Sequence, residues 1–214
     1  MSSSDSEPCL QDNFKRDVLY LEQNMLPLKN SGEVVEQLKY KGDEHERLSD
    51  ADVQHLAKAL CANDKFFGKL KLDKNGISDL AILAISEVLR KPDFQNIKEL
   101  SLEGNPDLTC KAGEYIGQAM IDNCENMRLK ELDFEGIDLG QRGLVRIIDA
   151  ANKTPSLEKL NVGILTDNAL LLLADRLRDN KYLLELKFKE TEDHQQYWSC
   201  ESQKAFCQLL KGGT

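Results

Sequence analysis

The chain has 214 residues, with 28 Lys and Arg against 37 Asp and Glu, for a formal net charge of −9. That balance argues against nucleic acid or anionic lipid as a partner, because both are recognised by clustered basic side chains. Hydrophobic residues make up 41%, enough for a core, yet the longest apolar run, Ala169-Leu170-Leu171-Leu172-Leu173-Ala174, falls far short of the roughly 20 residues a membrane-spanning helix needs.

Residues 1–12 read as a loose, Ser-rich polar tail with neither a basic nor an apolar leader segment, so the expected location is the cytoplasm. Its serines, beside Asp5 and Glu7, are candidates for phosphorylation. Phe14, Val18, Leu21 and Met25 follow at helical spacing and stop before Pro27. Residues 13–32 are therefore expected to form an N-terminal capping helix over the open apolar end of an array.

From residue 33 a pattern repeats. An apolar triplet recurs at Val35/Leu38/Tyr40, Phe67/Leu70/Leu72, Ile97/Leu100/Leu102, Leu129/Leu132/Phe134, Leu157/Leu160/Val162 and Leu183/Leu186/Phe188. Its middle residues step by 32, 30, 32, 28 and 26 residues. Period two within each triplet predicts a short strand with one buried face. Between strands, five sets predict an amphipathic helix: Val53/Leu56/Ala57/Leu60, Ile82/Ile85/Ser86/Leu89, Gly113/Ile116/Gly117/Met120, Leu144/Ile147/Ile148/Ala151 and Leu170/Leu173/Ala174/Leu177.

Ser49, Ser78, Thr109 and Thr166 stand where these helices need an N-cap, Asp52 completing a capping box and Leu48 and Ile77 offering staples; Gly140 holds that place in the fourth. The first repeat carries an insertion, Gly42 to Arg47, and Pro92 and Pro155 mark helix-to-strand returns. Asn75 and Asn105 follow their strands and predict a side chain that bonds the backbone of the departing turn. Ile137 takes that place in the fourth repeat, the fifth has no clear counterpart, and the sixth has Thr191. Residues 191–214 are expected to close the far end, with Phe206, Leu209 and Leu210 on one helical face and Trp198 sealing the core.

Strand–helix units repeating every 26–32 residues stack into one parallel sheet backed by helices. Helices are wider than strands, about 10 Å against about 4.8 Å, so the stack curves with the strands inside. The expected fold is α/β: a right-handed solenoid horseshoe of about six repeats over residues 33–190, with a concave parallel sheet and convex helices.

Leu-x-x-Leu-x-Leu-x-x-Asn-x-Ile/Leu followed by a long helix, best matched at Phe67–Ile77 and Ile97–Leu108, resembles the leucine-rich repeat of the long helical, ribonuclease-inhibitor-like subclass. That resemblance implies a scaffold that binds other proteins. The family includes ribonuclease inhibitor, the GTPase-activating protein of Ran, tropomodulin's actin-binding end and sensor domains of innate immune receptors.

Alternation along the strands puts Asp73, Glu99, Ser101, Glu103, Glu131, Asp133, Glu135 and Asn161 on the concave face. Repeats three and four supply five carboxylates there and no base, while the end repeats carry lysines such as Lys39, Lys41, Lys71, Lys187 and Lys189. The expected partner on this acidic stripe is a basic protein surface. Two alternatives are a regulator of a small GTPase, with Arg128 and Arg142 as the nearest rim cations, and a structural subunit of a cytoskeletal or ciliary assembly that uses its convex helices or terminal caps.

Chemistry is not expected. The carboxylates lie on an open sheet with no enclosure to shift their pKa values, the histidines (His45, His55, His194) are scattered, and Lys211-Gly212-Gly213-Thr214 is no phosphate loop. The six cysteines form no Cys-x-x-Cys pair and read as reduced thiols. No enzyme activity, metal or cofactor is expected, and the chain is expected to be a monomer on its own.

Overall fold

The computed structural model describes residues 9–29, 31–91, 97–190 and 198–211, without the side chains of residues 190 and 209–211. Residues 1–8 of the tail, Pro92, the link through 191–197, the side chains of Leu209 and Leu210 and the terminal Gly212-Gly213-Thr214 lie outside the described residues. In chain order the elements are α1 (Leu10–Glu22), β1 (Gln37–Lys39), α2 (Asp50–Ala62), β2 (Gly68–Lys71), α3 (Asp79–Arg90), β3 (Ile97–Ser101), α4 (Cys110–Asp122), β4 (Glu131–Asp133), α5 (Gly140–Ala151), β5 (Lys159–Leu165), α6 (Asp167–Arg176), β6 (Glu185–Glu190) and α7 (Cys200–Lys211).

The six strands form one sheet in chain order, and every pair is parallel. Leu38, Leu70, Leu100, Leu132, Leu160 and Leu186 stand opposite one another across the whole sheet. They are the middle residues of the six triplets, so the repeat read from the sequence is the register of the sheet. All five helical sets are buried against it. Helices lie only on that side, which makes the molecule an α/β solenoid with a concave sheet and convex helices.

Local chemistry starts and spaces the helices. Ser49 and Asp52 form the reciprocal capping box on α2, and Ser78, Thr109 and Thr166 each accept a first-turn N–H. The residue after a cap then ties one repeat to the next. Asp50 accepts the N–H and hydroxyl of Ser78 at 2.8 and 2.5 Å, and Asp79 accepts those of Thr109 at 3.0 and 2.6 Å. Asp167 accepts the N–H of Ser199 at 2.7 Å.

Asn75 and Asn105 do the same for the turns. Asn105 Oδ1 accepts the N–H groups of Asn75 and Gly76, while its Nδ2 donates to the carbonyls of Leu72 and Leu102. Asn75 accepts from Leu48 and donates to Tyr40 O. A second set, unforeseen in the sequence, sits where helices return to strands. Asn63, Asn123 and Asn180 donate to Leu21 O, Leu89 O and Ala151 O, each the end of the preceding repeat's helix or of α1.

Three expectations need correcting. Met25 is 42% exposed because α1 ends at Glu22, before that position. Phe67 is 46% exposed and Phe66 is the buried ring: alternation back from Leu72 through Leu70 and Gly68 puts position 66 inward and position 67 outward. The exposed Phe67 ring carries the guanidinium of Arg128 at 6.0 Å from its centre. Finally, Gly140 is the first residue of α5 rather than its cap; Leu139 precedes it with no side-chain bond, and Asp138 accepts the N–H of Gly140 at 2.8 Å.

Both ends are aromatic. In α1, Phe14, Val18 and Leu21 are buried. The Phe14 ring meets Tyr40 edge-on at 5.3 Å, and Tyr40 donates to the buried carboxylate of Asp17 at 3.0 Å. The insertion in the first repeat has a role here: Glu46 accepts the N–H of Leu10, the first residue of α1, at 2.7 Å. At the other end Phe188 contacts Trp198 at 5.3 Å and Phe206 at 5.2 Å, which puts Trp198 against the last strand of the core.

Candidate functional site: the concave face

Two rows of outward positions cross the sheet in register. One runs Gln37, Lys69, Glu99, Glu131, Lys159, Glu185; the other runs Lys39, Lys71, Ser101, Asp133, Asn161, Lys187. A third level, Asp73, Glu103 and Glu135, lies where the strands turn toward their helices. It is joined by backbone bonds from Lys74 to Glu103 and from Gly104 to Glu135.

All eight candidate residues therefore belong to one face, but they are not equally available. Asp73, Ser101 and Asn161 are buried, at 6%, 8% and 8% exposure. They spend their polar atoms internally: Ser101 donates its hydroxyl to Asp73 at 2.6 Å, and Asn161 accepts the N–H of Gly163 at 3.1 Å. Inward curvature crowds the middle of a concave sheet, and this crowding is invisible in the alternation alone. Glu99, Glu103, Glu131, Asp133 and Glu135 are half-buried.

The five carboxylates do not form a bare acidic stripe. Lysines from other repeats reach four of them: Lys69 to Glu99 at 2.6 Å, Lys74 to Glu103 at 3.3 Å, Lys159 to Glu131 at 3.8 Å and Lys189 to Glu135 at 2.6 Å. The lysine bond holds Glu135 below the usual carboxylate range, and Glu99 raises Lys69 in turn. Lys74 was missed in the sequence because it sits in the turn, at φ +58°, outside the strand alternation. Asp133 alone of the five makes no ion pair among the described residues. Burial raises its pKa first, the N–H of Glu135 at 2.8 Å holds it back, and the charges of Glu135, Glu103 and Asp73 raise it further.

Cations outnumber their partners elsewhere. Lys39 and Lys71 are directly opposite on β1 and β2, and with Lys41 they make no ion pair among the described residues. The rim cations Arg128 and Arg142 do not converge: Arg128 lies over Phe67, while Arg142 is on the outer side of α5 beside Val145 and Arg146. Among the described residues no three His, Cys, Asp or Glu side chains are grouped to hold a metal ion, and all six cysteines are free thiols. The face can make ion pairs and hydrogen bonds over a broad curved surface.

No family model matches the chain, and no curated protein matches it. Solved structures do. The chain is similar to leiomodin-1 actin-binding site 2, at 15% identity and a TM-score of 0.51, covering 97% of this chain and 91% of that one. It is also similar to the tropomodulin C-terminal domain of Caenorhabditis elegans, at 13% identity and a TM-score of 0.54, covering 96% and 93%. At these identities the likeness is one of fold, the leucine-rich-repeat type of strand–helix solenoid.

Proposed function

We propose that this chain is a non-enzymatic protein-binding scaffold of a cytoskeletal assembly, with actin as the partner to test first. The likeness in fold to leiomodin-1 actin-binding site 2, over 97% of this chain and 91% of that one, supports this reading. The concave face adds support of a different kind. Its carboxylates are already met by the chain's own lysines, which favours contacts at the convex helices or the ends. The reading further takes the chain to be a cytoplasmic monomer. Repeat steps of 26–32 residues with a helix of 10 to 13 residues in each support assignment to the ribonuclease-inhibitor-like subclass.

Co-sedimentation with filamentous actin, with anisotropy of the labelled chain against monomeric actin, tests this directly. Saturable binding to either form is expected. Absence of binding to both would remove actin and leave the scaffold without its named partner.

A second reading keeps the basic partner on the acidic face, with Glu103, Glu131 and Glu135 as the contacts. It is favoured by their side chains being 35–38% exposed. A Lys-rich peptide should then bind the wild-type chain and be lost on charge reversal at those three positions.

A further inference from the structure

Among the described residues, one of the five helices between strands carries exposed large apolar side chains. α4 presents Lys111, Glu114, Gln118 and Asp122, and α5 presents Gln141, Arg142, Arg146 and Asp149. α3 is different. Eight of its 12 residues are apolar, on every side of the helix. A helix apolar all round is expected to be covered all round. Yet here Leu80 is 60% and Leu83 is 38% exposed, and they form an i, i+3 pair on the outer side with Ala84 next to it.

These residues face a groove of about 460 Å³ between α3 and α2, floored by Ala57, Cys61 and Ala84. Its rims carry one charge each. Glu87 on α3 is already held by Arg90. Lys58 on α2 is exposed and makes no ion pair or hydrogen bond among the described residues. The groove thus offers two exposed leucines, a small-residue floor and one uncommitted cation.

We propose that the α2–α3 groove binds an amphipathic helix of a partner protein, whose apolar stripe at i, i+3/i+4 and i+7 lies over Leu80 and Leu83 and whose flanking carboxylate pairs with Lys58. The stripe follows from the floor: Ala57, Cys61 and Ala84 are short, so leucine-sized side chains from an opposing helix can enter between α2 and α3. The acidic flank follows from the charges: Glu87 shares Arg90 with Asp122, whereas Lys58 is the rim charge without an ion pair among the described residues, and a carboxylate is its complement. This surface lies opposite the concave face and does not depend on the actin reading.

A phage-displayed library of helical 18-residue peptides, selected on the full chain, tests it. Enriched sequences should share the apolar stripe with Glu or Asp beside it. The best of them, made as a synthetic peptide, should lose roughly tenfold in affinity on Leu83→Asp, with the far-UV spectrum and melting midpoint unchanged because Leu83 is exposed. Lys58→Glu should weaken the same peptide, and changing that peptide's acid to Lys should restore it. No enrichment, equal binding to Leu83→Asp, or enriched sequences without the stripe would overturn the proposal. So would a wild-type dimer in sedimentation that Leu83→Asp dissociates, because a second copy would then be the occupant.

Discussion

The side-chain oxygen of Asn105 accepts the backbone N–H of Asn75, 30 residues earlier, at 2.9 Å. One repeat's asparagine thereby completes the turn of the repeat before it. The amide also satisfies the half-buried Gly76 N–H and the buried carbonyls of Leu72 and Leu102. Asn105→Ala orphans these groups, each costing of the order of 1–3 kcal/mol when left buried and unpaired. A loss of at least about 3 kcal/mol in urea denaturation is expected. A loss below about 1 kcal/mol would mean that the turn holds itself without the amide.

On the helix side, the fourth repeat meets the third by close packing where earlier repeats have an aspartate tie. α5 lacks a side-chain cap, and Cys110 replaces the aspartate that ties earlier helices together. Instead α4 and α5 approach through glycines: a Cβ on Gly113 would lie 2.8 Å from the Cα of Gly143, and one on Gly143 would lie 2.7 Å from the carbonyl oxygen of Cys110. Both obstacles are backbone and cannot rotate away. Gly113→Ala should therefore destabilise by about 1–3 kcal/mol, although alanine is by itself the better helix former by up to ~1 kcal/mol. Stabilisation by this substitution would contradict the close seam.

Asp133 makes the stability of the fold depend on pH. Its pKa is raised in the folded chain, chiefly by burial and then by the carboxylates of Glu135, Glu103 and Asp73. Protonated Asp133 therefore favours the folded state. That contribution is full below the ordinary aspartate value of 3.8 and is lost as pH rises through the raised value. Asp133→Asn keeps an acceptor for the N–H of Glu135 without the charge. Thermal melts should show the variant gaining on wild type between pH 3.5 and pH 7. A variant that falls behind as pH rises would show that the charged carboxylate is stabilising.

Charge reversal at Glu103, Glu131 and Glu135 separates solvation from recognition on the concave face. Each loses an exposed ion pair worth ~0–1 kcal/mol, so the melting midpoint should fall by only a few degrees. Loss of a Lys-rich peptide from this variant would support the second functional reading. Unchanged capture would leave the carboxylates as a solvated, self-neutralised face.

Much of the fold was legible because the side chains that make it are periodic. The leucine row from Leu38 to Leu186 is the sheet register itself, and Ser49, Ser78, Thr109 and Thr166 mark helix starts where a cap must stand. What escaped depends on neighbours that sequence order does not display. The inward ring is Phe66 rather than Phe67 because alternation runs through Gly68, which carries no apolar side chain to mark it. The acidic stripe looked unopposed because Lys74 reaches Glu103 from a turn and Lys189 reaches Glu135 from two repeats away. Asp73, Ser101 and Asn161 alternate outward correctly, yet a concave sheet crowds its own centre. The asparagines after the helices, Asn63, Asn123 and Asn180, did carry a signal in their spacing, weaker than the leucines because the repeat lengths vary.

The proposed actin-type scaffold makes its contacts off the concave sheet. Anisotropy of the labelled chain titrated with purified actin tests it most directly. Saturable binding with a Kd of the order of 10 µM or tighter is expected, retained when Glu103, Glu131 and Glu135 are reversed to lysine. No binding at actin concentrations near ~100 µM, or binding abolished by that reversal, would contradict it.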